Sequence, residues 1–134
     1  MRLGNVYDGN YKNGKMHGKG CLKGVDGSSY DGEVEDDMKH GHGVYKNIAG
    51  DVYTGQWEKD QQNGYGVLQY ANGDVYSGDW RKNLKHGEGV MKRAKGDVYK
   101  GGYKFGKFHG HGVMQFRNGK SMVSLFNVDL TDTV

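Results

Sequence analysis

The sequence predicts an all-β fold, one open antiparallel sheet in which hairpin adds to hairpin. Three observations point there: a 23-residue repeat without insertions, period-two alternation inside each repeat, and glycine at 25 of 134 positions. Average chains hold roughly 7% glycine, so the excess needs a structural cause. With no proline and no three-residue period, a collagen helix is not that cause. Ten tyrosines and two tryptophans argue against disorder, since disordered chains are poor in aromatics. Order should therefore rest on aromatic rings more than on aliphatic side chains.

The repeat is read column by column. Tyr7, Tyr30, Tyr53, Tyr76 and Tyr99 stand 23 residues apart. Two residues later come Gly9, Gly32, Gly55, Gly78 and Gly101. Two further on lies a mostly aromatic column of Tyr11, Val34, Trp57, Trp80 and Tyr103. Gly18, Gly41, Gly64, Gly87 and Gly110 follow, each with a second glycine two residues on. Gly27, Gly50, Gly73, Gly96 and Gly119 close the units, with Gly4 in phase, so 21 of the 25 glycines fall in columns. The chain reads as a single domain, 1–134: a partial unit at 1–6, five repeats at 7–121, and a half-repeat or cap at 122–134.

Inside a unit the first strand is GDVYTGQWE, where Tyr53, Gly55 and Trp57 share one face and Val52, Thr54 and Gln56 the other. GYGVLQY reads as the returning strand. Asp26-Gly27, Asn72-Gly73 and Asn118-Gly119 are expected to form tight positive-φ turns between units. Helix is a poor alternative, since glycine every few residues costs about 1 kcal/mol each against alanine. Glycine also weakens a strand unless something approaches its backbone closely. Aromatic rings lying on Gly55 and Gly66 would be that something.

The unit Tyr-x-Gly-x-Trp, then His-Gly-x-Gly, then Asn-Gly-x-x-Tyr, resembles the MORN repeat (membrane occupation and recognition nexus), with YTGQWEKDQQNGYGVLQYANGDVY (53–76) close to the family pattern. The resemblance implies an elongated, twisted, single-layer sheet with an aromatic-lined groove. It also implies hosts such as membrane-junction proteins, lipid kinases, methyltransferases and structural proteins of cilia and cytoskeletons. The expectation is a non-catalytic scaffold or adaptor for protein partners, a cytoskeletal component or an amphipathic helix among them. The alternatives are a peripheral module for anionic phospholipid and a regulatory region of a larger enzyme. Tyr7, Tyr11, Tyr30, Tyr53, Trp57, Tyr76, Trp80, Tyr99 and Tyr103 are the expected partner groove, because tyrosine and tryptophan dominate interface hot spots. Val34 and Asp37 in repeat 2, Asn63 in the histidine column, and Met122 and Ser124 at the end depart from the pattern.

No catalytic constellation stands out, and neither a cofactor nor a metal site is expected. His40-Gly41-His42 and His109-Gly110-His111 each place two histidines on one strand face. At roughly 10 Å of sheet per hairpin, the pairs lie roughly 30 Å apart, too far to share an ion. His17, His40, His86 and His109 are instead expected to hydrogen-bond their turns. Cys21 occupies the column of Val44, Val67, Val90 and Val113 and reads as a small packing residue. With no apolar leader in MRLGNVYDGN and a lone cysteine, the expected setting is cytoplasmic, with a cytoskeletal, ciliary or membrane-associated location.

Charge is uneven along a chain of net +3, too weak overall for a nucleic-acid binder. Residues 30–60 carry eight acidic and three basic side chains, and residues 76–107 carry nine basic and three acidic ones. Arg81, Lys82, Lys85, Lys92, Arg93 and Lys95 are expected to make one basic surface able to attract anionic lipid. At the end, Met122, Phe126 and Val128 alternate with Val123 and Leu125, apolar on both faces. This segment is expected to join a homodimer or larger assembly, because a repeat sheet otherwise leaves an unpaired edge.

Overall fold

A computed structural model describes residues 4–126. Eleven strands follow one another: β1 (Val6–Lys12), β2 (Lys15–Lys23), β3 (Ser29–Glu35), β4 (Met38–Lys46), β5 (Val52–Glu58), β6 (Gln61–Gln69), β7 (Val75–Arg81), β8 (Leu84–Lys92), β9 (Val98–Lys104), β10 (Lys107–Gln115) and β11 (Ser121–Phe126). Each pairs antiparallel with its chain neighbours in a single open sheet ordered β1 to β11. Each repeat is thus one hairpin, and β11 pairs with β10 as the last described strand. On one face lie Tyr30, Tyr53, Tyr76, Tyr99, Trp57, Trp80 and Tyr103, all buried with Met16 and Val34. The other face carries Thr54, Ser77 and the half-exposed valine column.

The ladder breaks inside every repeat at one place. Gly55 pairs with Gly66, but Trp57 pairs with Gln62, so three residues of β6 bulge against Gln56 alone. Gly64 turns the bulge at φ +99°, a left-handed value that favours glycine. In the broken stretch, the Gln56 carbonyl accepts a hydrogen bond from Tyr53 Oη at 2.8 Å. The same bond recurs from Tyr7 to Asn10, Tyr30 to Glu33, Tyr76 to Asp79 and Tyr99 to Gly102.

That bond lays the tyrosine flat across the paired glycines. A Cβ on Gly66 would fall inside the Tyr53 ring, and one on Gly43 inside the Tyr30 ring. At Gly55 the expectation needs correcting. A Cβ there meets the Gly66 Cα and the Tyr65 carbonyl first, with the Tyr53 hydroxyl next at 2.8 Å. The ring bars substitution on one strand, and the facing backbone bars it on the other.

Rings then stack from repeat to repeat. Tyr30–Trp57, Trp57–Tyr53, Tyr53–Trp80, Trp80–Tyr76, Tyr76–Tyr103 and Tyr103–Tyr99 meet edge to face at centroid distances of 5.1–5.6 Å. Each indole also donates Nε1–H to a carbonyl one repeat back, Trp57 to Gly43 at 3.2 Å and Trp80 to Gly66 at 3.1 Å. Val34 fills the column in repeat 2, so the ladder stops there. Tyr7 pairs only with Tyr11 among the described residues.

The turns between units form at the expected dipeptides, with Gly27, Gly73 and Gly119 at positive φ. At Asn72-Gly73 only the glycine has positive φ, and Gly73 N–H bonds the Tyr70 carbonyl while Tyr70 N–H bonds Asp74. That is a three-residue loop, a type I turn followed by a left-handed glycine. Turns with positive φ at both residues sit at the opposite end of the hairpins. Asp36-Asp37, Lys59-Asp60 and Lys82-Asn83 form them without glycine. Left-handed φ costs such residues about 1 kcal/mol or more each. The second residue offsets this by clamping the previous repeat. Asp60 N–H bonds the Lys39 carbonyl at 3.1 Å, and its Oδ1 accepts Lys39 N–H at 2.7 Å. Asp37 on Met16 and Asn83 on Gln62 repeat the clamp.

Gly66→Ala should therefore lower the free energy of unfolding by about 1–3 kcal/mol, the range for overpacking. Urea denaturation would read this as a lower midpoint at an unchanged slope. A midpoint equal to that of the unsubstituted protein would show that the Tyr53 ring does not need the glycine surface.

Candidate functional site

A site on this sheet has to be built from what the aromatic ladder leaves accessible. Tyr30, Tyr53, Tyr76 and Tyr99 are each at most 1% exposed, and Trp57 and Trp80 are 6%. This corrects the expected partner groove. Tyr30, Tyr53, Trp57, Tyr76, Trp80, Tyr99 and Tyr103 are spent on the sheet itself, because a single layer has no other apolar material to bury. Of the nine expected residues, only half-buried Tyr7 and exposed Tyr11 at the first hairpin offer ring surface.

The accessible apolar surface lies one column over. Leu22, Tyr45, Leu68 and Met91 are half-buried against the ladder, as are Tyr70, Phe108 and Met114. Leu22, Tyr45, Leu68, Met91 and Met114 are spaced by 23 residues, so this column was readable from the repeat. Reading only the aromatic columns missed it.

Two lysines lie on this surface. Lys39 Nζ sits 5.3–5.6 Å from the ring centres of Tyr30, Tyr45 and Trp57. Lys85 Nζ sits 5.1 Å from that of Tyr70 and 5.3 Å from that of Tyr76. Such contacts are worth about 0.5–1 kcal/mol at exposed sites and more where water is excluded. Beside Lys39 is a hollow of about 140 Å³, and beside Lys85 one of about 240 Å³.

The expected basic surface does not come together. Arg81 ends β7 and Lys82 lies in the turn, while Lys92, Arg93 and Lys95 lie at the far end of β8. Eight residues of strand separate those ends by about 26 Å. Lys85 stands on the aromatic face between them. The residues were grouped by sequence, but a hairpin sends neighbouring segments to opposite margins.

The histidine column is not uniform. His40 Nε2 reaches Glu35 across the hairpin at 3.1 Å, and Asn63 bonds Glu58 similarly at 3.4 Å. His86 instead packs edge-on to Phe105, and His109 Nδ1 is buried without a partner. Of the histidines expected to bond their turns, His40 instead meets a carboxylate of the facing strand and His86 the Phe105 ring. Among the described residues, no three histidine, cysteine or acidic groups come together to hold a metal ion. At the last strand, Met122 is half-exposed opposite Met114, and the backbones of Val123, Leu125 and Phe126 pair with β10. Val128 lies outside the described residues.

Five consecutive segments, 7–29, 30–52, 53–75, 76–98 and 99–121, match the family model described as MORN repeat. No curated protein matches the chain as a relative.

Burial raises the hydroxyl pKa of the ladder tyrosines, to about 12 at Tyr53. Tyr30, Tyr76 and Tyr103 are raised further, again chiefly by burial, with the Glu33 charge adding at Tyr30. The unfolded chain releases these protons near pH 10 and the folded chain holds them, so their contribution is complete below pH 10 and lost as pH rises towards the folded values. Thermal midpoints should be flat in this respect from pH 8 to 9.5 and fall steeply above 10. Tyrosinate absorbance should appear together with unfolding, not before it.

Proposed function

The chain belongs to the MORN-repeat family, and from that premise we propose that it is a non-catalytic scaffold that binds and positions protein partners, in a cytoskeletal, ciliary or membrane-junction setting. MORN repeats occur in protein- and membrane-binding modules. One observation carries the choice between them. A half-buried apolar strip, Leu22, Tyr45, Leu68 and Met91, runs across successive hairpins on the aromatic face, with no second layer of this chain over it among the described residues. The lipid reading loses support because its basic residues divide between the two margins of the sheet. The strip and the hollows beside it suit side chains from a partner, in the manner of an amphipathic helix laid in a groove.

Paired variants test this. Tyr45→Glu with Leu68→Glu charges the aromatic face, and Tyr65→Glu with Val67→Glu charges the other. Proximity labelling followed by pull-down should identify a partner set lost from the first variant and kept by the second, with both variants folded by circular dichroism. Loss from the second alone, or flotation of the chain with phosphatidylserine vesicles in place of protein capture, would refute the reading.

A further inference from the structure

Lys39 and Lys85 occupy the same column of the repeat, two repeats apart, with Gln62 between them. Both ammonium groups lie over rings, and neither has a carboxylate within 4 Å among the described residues. The carboxylates held on the Lys39 strand are engaged elsewhere: Asp60 Oδ1 accepts the Lys39 backbone N–H, Glu33 Oε2 accepts the His42 backbone N–H, and Glu35 Oε2 meets His40 Nε2. Each lysine borders a hollow that also contains half-buried apolar side chains, Leu22 and Tyr45 for Lys39, and Leu68 and Tyr70 for Lys85. The aromatic face thus presents the same pairing twice: an apolar recess and, beside it, a cation without a counter-ion.

We propose that this face binds an acidic amphipathic helix that sets an apolar side chain and a carboxylate into each of the two lysine-bordered hollows. This rests on the scaffold reading and adds the partner's chemistry to it. The spacing follows from the sheet. Four strand steps of ~4.8 Å separate β4 from β8, so the two units lie roughly 19 Å apart. A helix rises 1.5 Å per residue and turns ~100°. Its carboxylates return to one face at i+11 and i+14, at ~16 and ~21 Å, which bracket that span. At i+12 or i+13 they diverge from it. An apolar recess alone would accept many helices, and the paired cations select acidic ones.

A display library of 20-residue helical peptides, randomised on one face and selected against the intact chain, tests the proposal. Enriched peptides should carry Asp or Glu pairs at i, i+11 or i, i+14, flanked by Leu, Met or Phe. Lys39→Gln and Lys85→Gln should each weaken the best peptide about tenfold, while Lys46→Gln on the margin leaves it unchanged. Lys39→Glu with Lys85→Glu should lose that peptide and gain its lysine-substituted counterpart. Peptides that bind this face without an acidic pair, indifferent to both lysines, would overturn the proposal and leave the scaffold reading standing. Enrichment of none that Tyr45→Glu with Leu68→Glu abolishes would overturn both. Phosphatidylserine vesicles bound through Lys39 and Lys85, with no acidic peptide enriched, would also overturn it.

Discussion

The fold depends on a tyrosine ring held flat against paired glycines by its own hydroxyl. An open single-layer sheet has no opposing layer to bury an apolar face, so the face must cover itself. A ring standing off the sheet would stay wet on both sides. Tyr53 lies down because its hydroxyl reaches the Gln56 carbonyl, and it can do so because Gly66 has no side chain beneath it. The hydrogen bond sets the ring's direction, and the glycine sets its height. Neither suffices alone, which is why tyrosine and glycine repeat together.

Coupling between repeats follows from the same geometry. A flat tyrosine shows its edge and face to the next ring, and edge-to-face pairs are worth about 0.5–1.5 kcal/mol beyond area burial. Asp60 and Asn83 add a second coupling at the hairpin ends, so both the middle and the margin of the sheet resist opening. Stability in such an array is a sum over neighbours, and the terms here are unequal. Repeat 1 lacks the ring bridge because Val34 replaces an aromatic, and Ser28 bonds within its own turn where Asp51, Asp74 and Asp97 accept from the next loop. The first hairpin is therefore the least firmly attached.

The division of labour on the aromatic face decides which apolar surface stays accessible. The most hydrophobic residues are withdrawn into the ladder, so the apolar surface left accessible is a less conspicuous column of leucine, methionine and tyrosine, together with lysines resting on the rings. A surface of this kind is apolar without being greasy. In the scaffold we propose, its cations would keep it hydrated when empty and select among partners when filled.

The repeat spacing, the hairpin per unit and the glycine columns were all determined by the sequence alone, because each follows from period, alternation and the steric demands of glycine; that the columns face each other came from the pairing. Those are local properties that recur five times. Three matters were decided only by the tertiary structure. Asp36-Asp37 and its equivalents adopt left-handed turns without glycine because a clamp on the neighbouring repeat offsets the strain, which no local rule contains. Trp57 and Trp80 are buried, and not offered, because adjoining hairpins close over them. Arg81 and Lys92 part company because a strand runs between them, while Lys39 and Lys85, 46 residues apart in the chain, come to share one face. Proximity in a sheet is set by register, and register is complete only when the strands have paired.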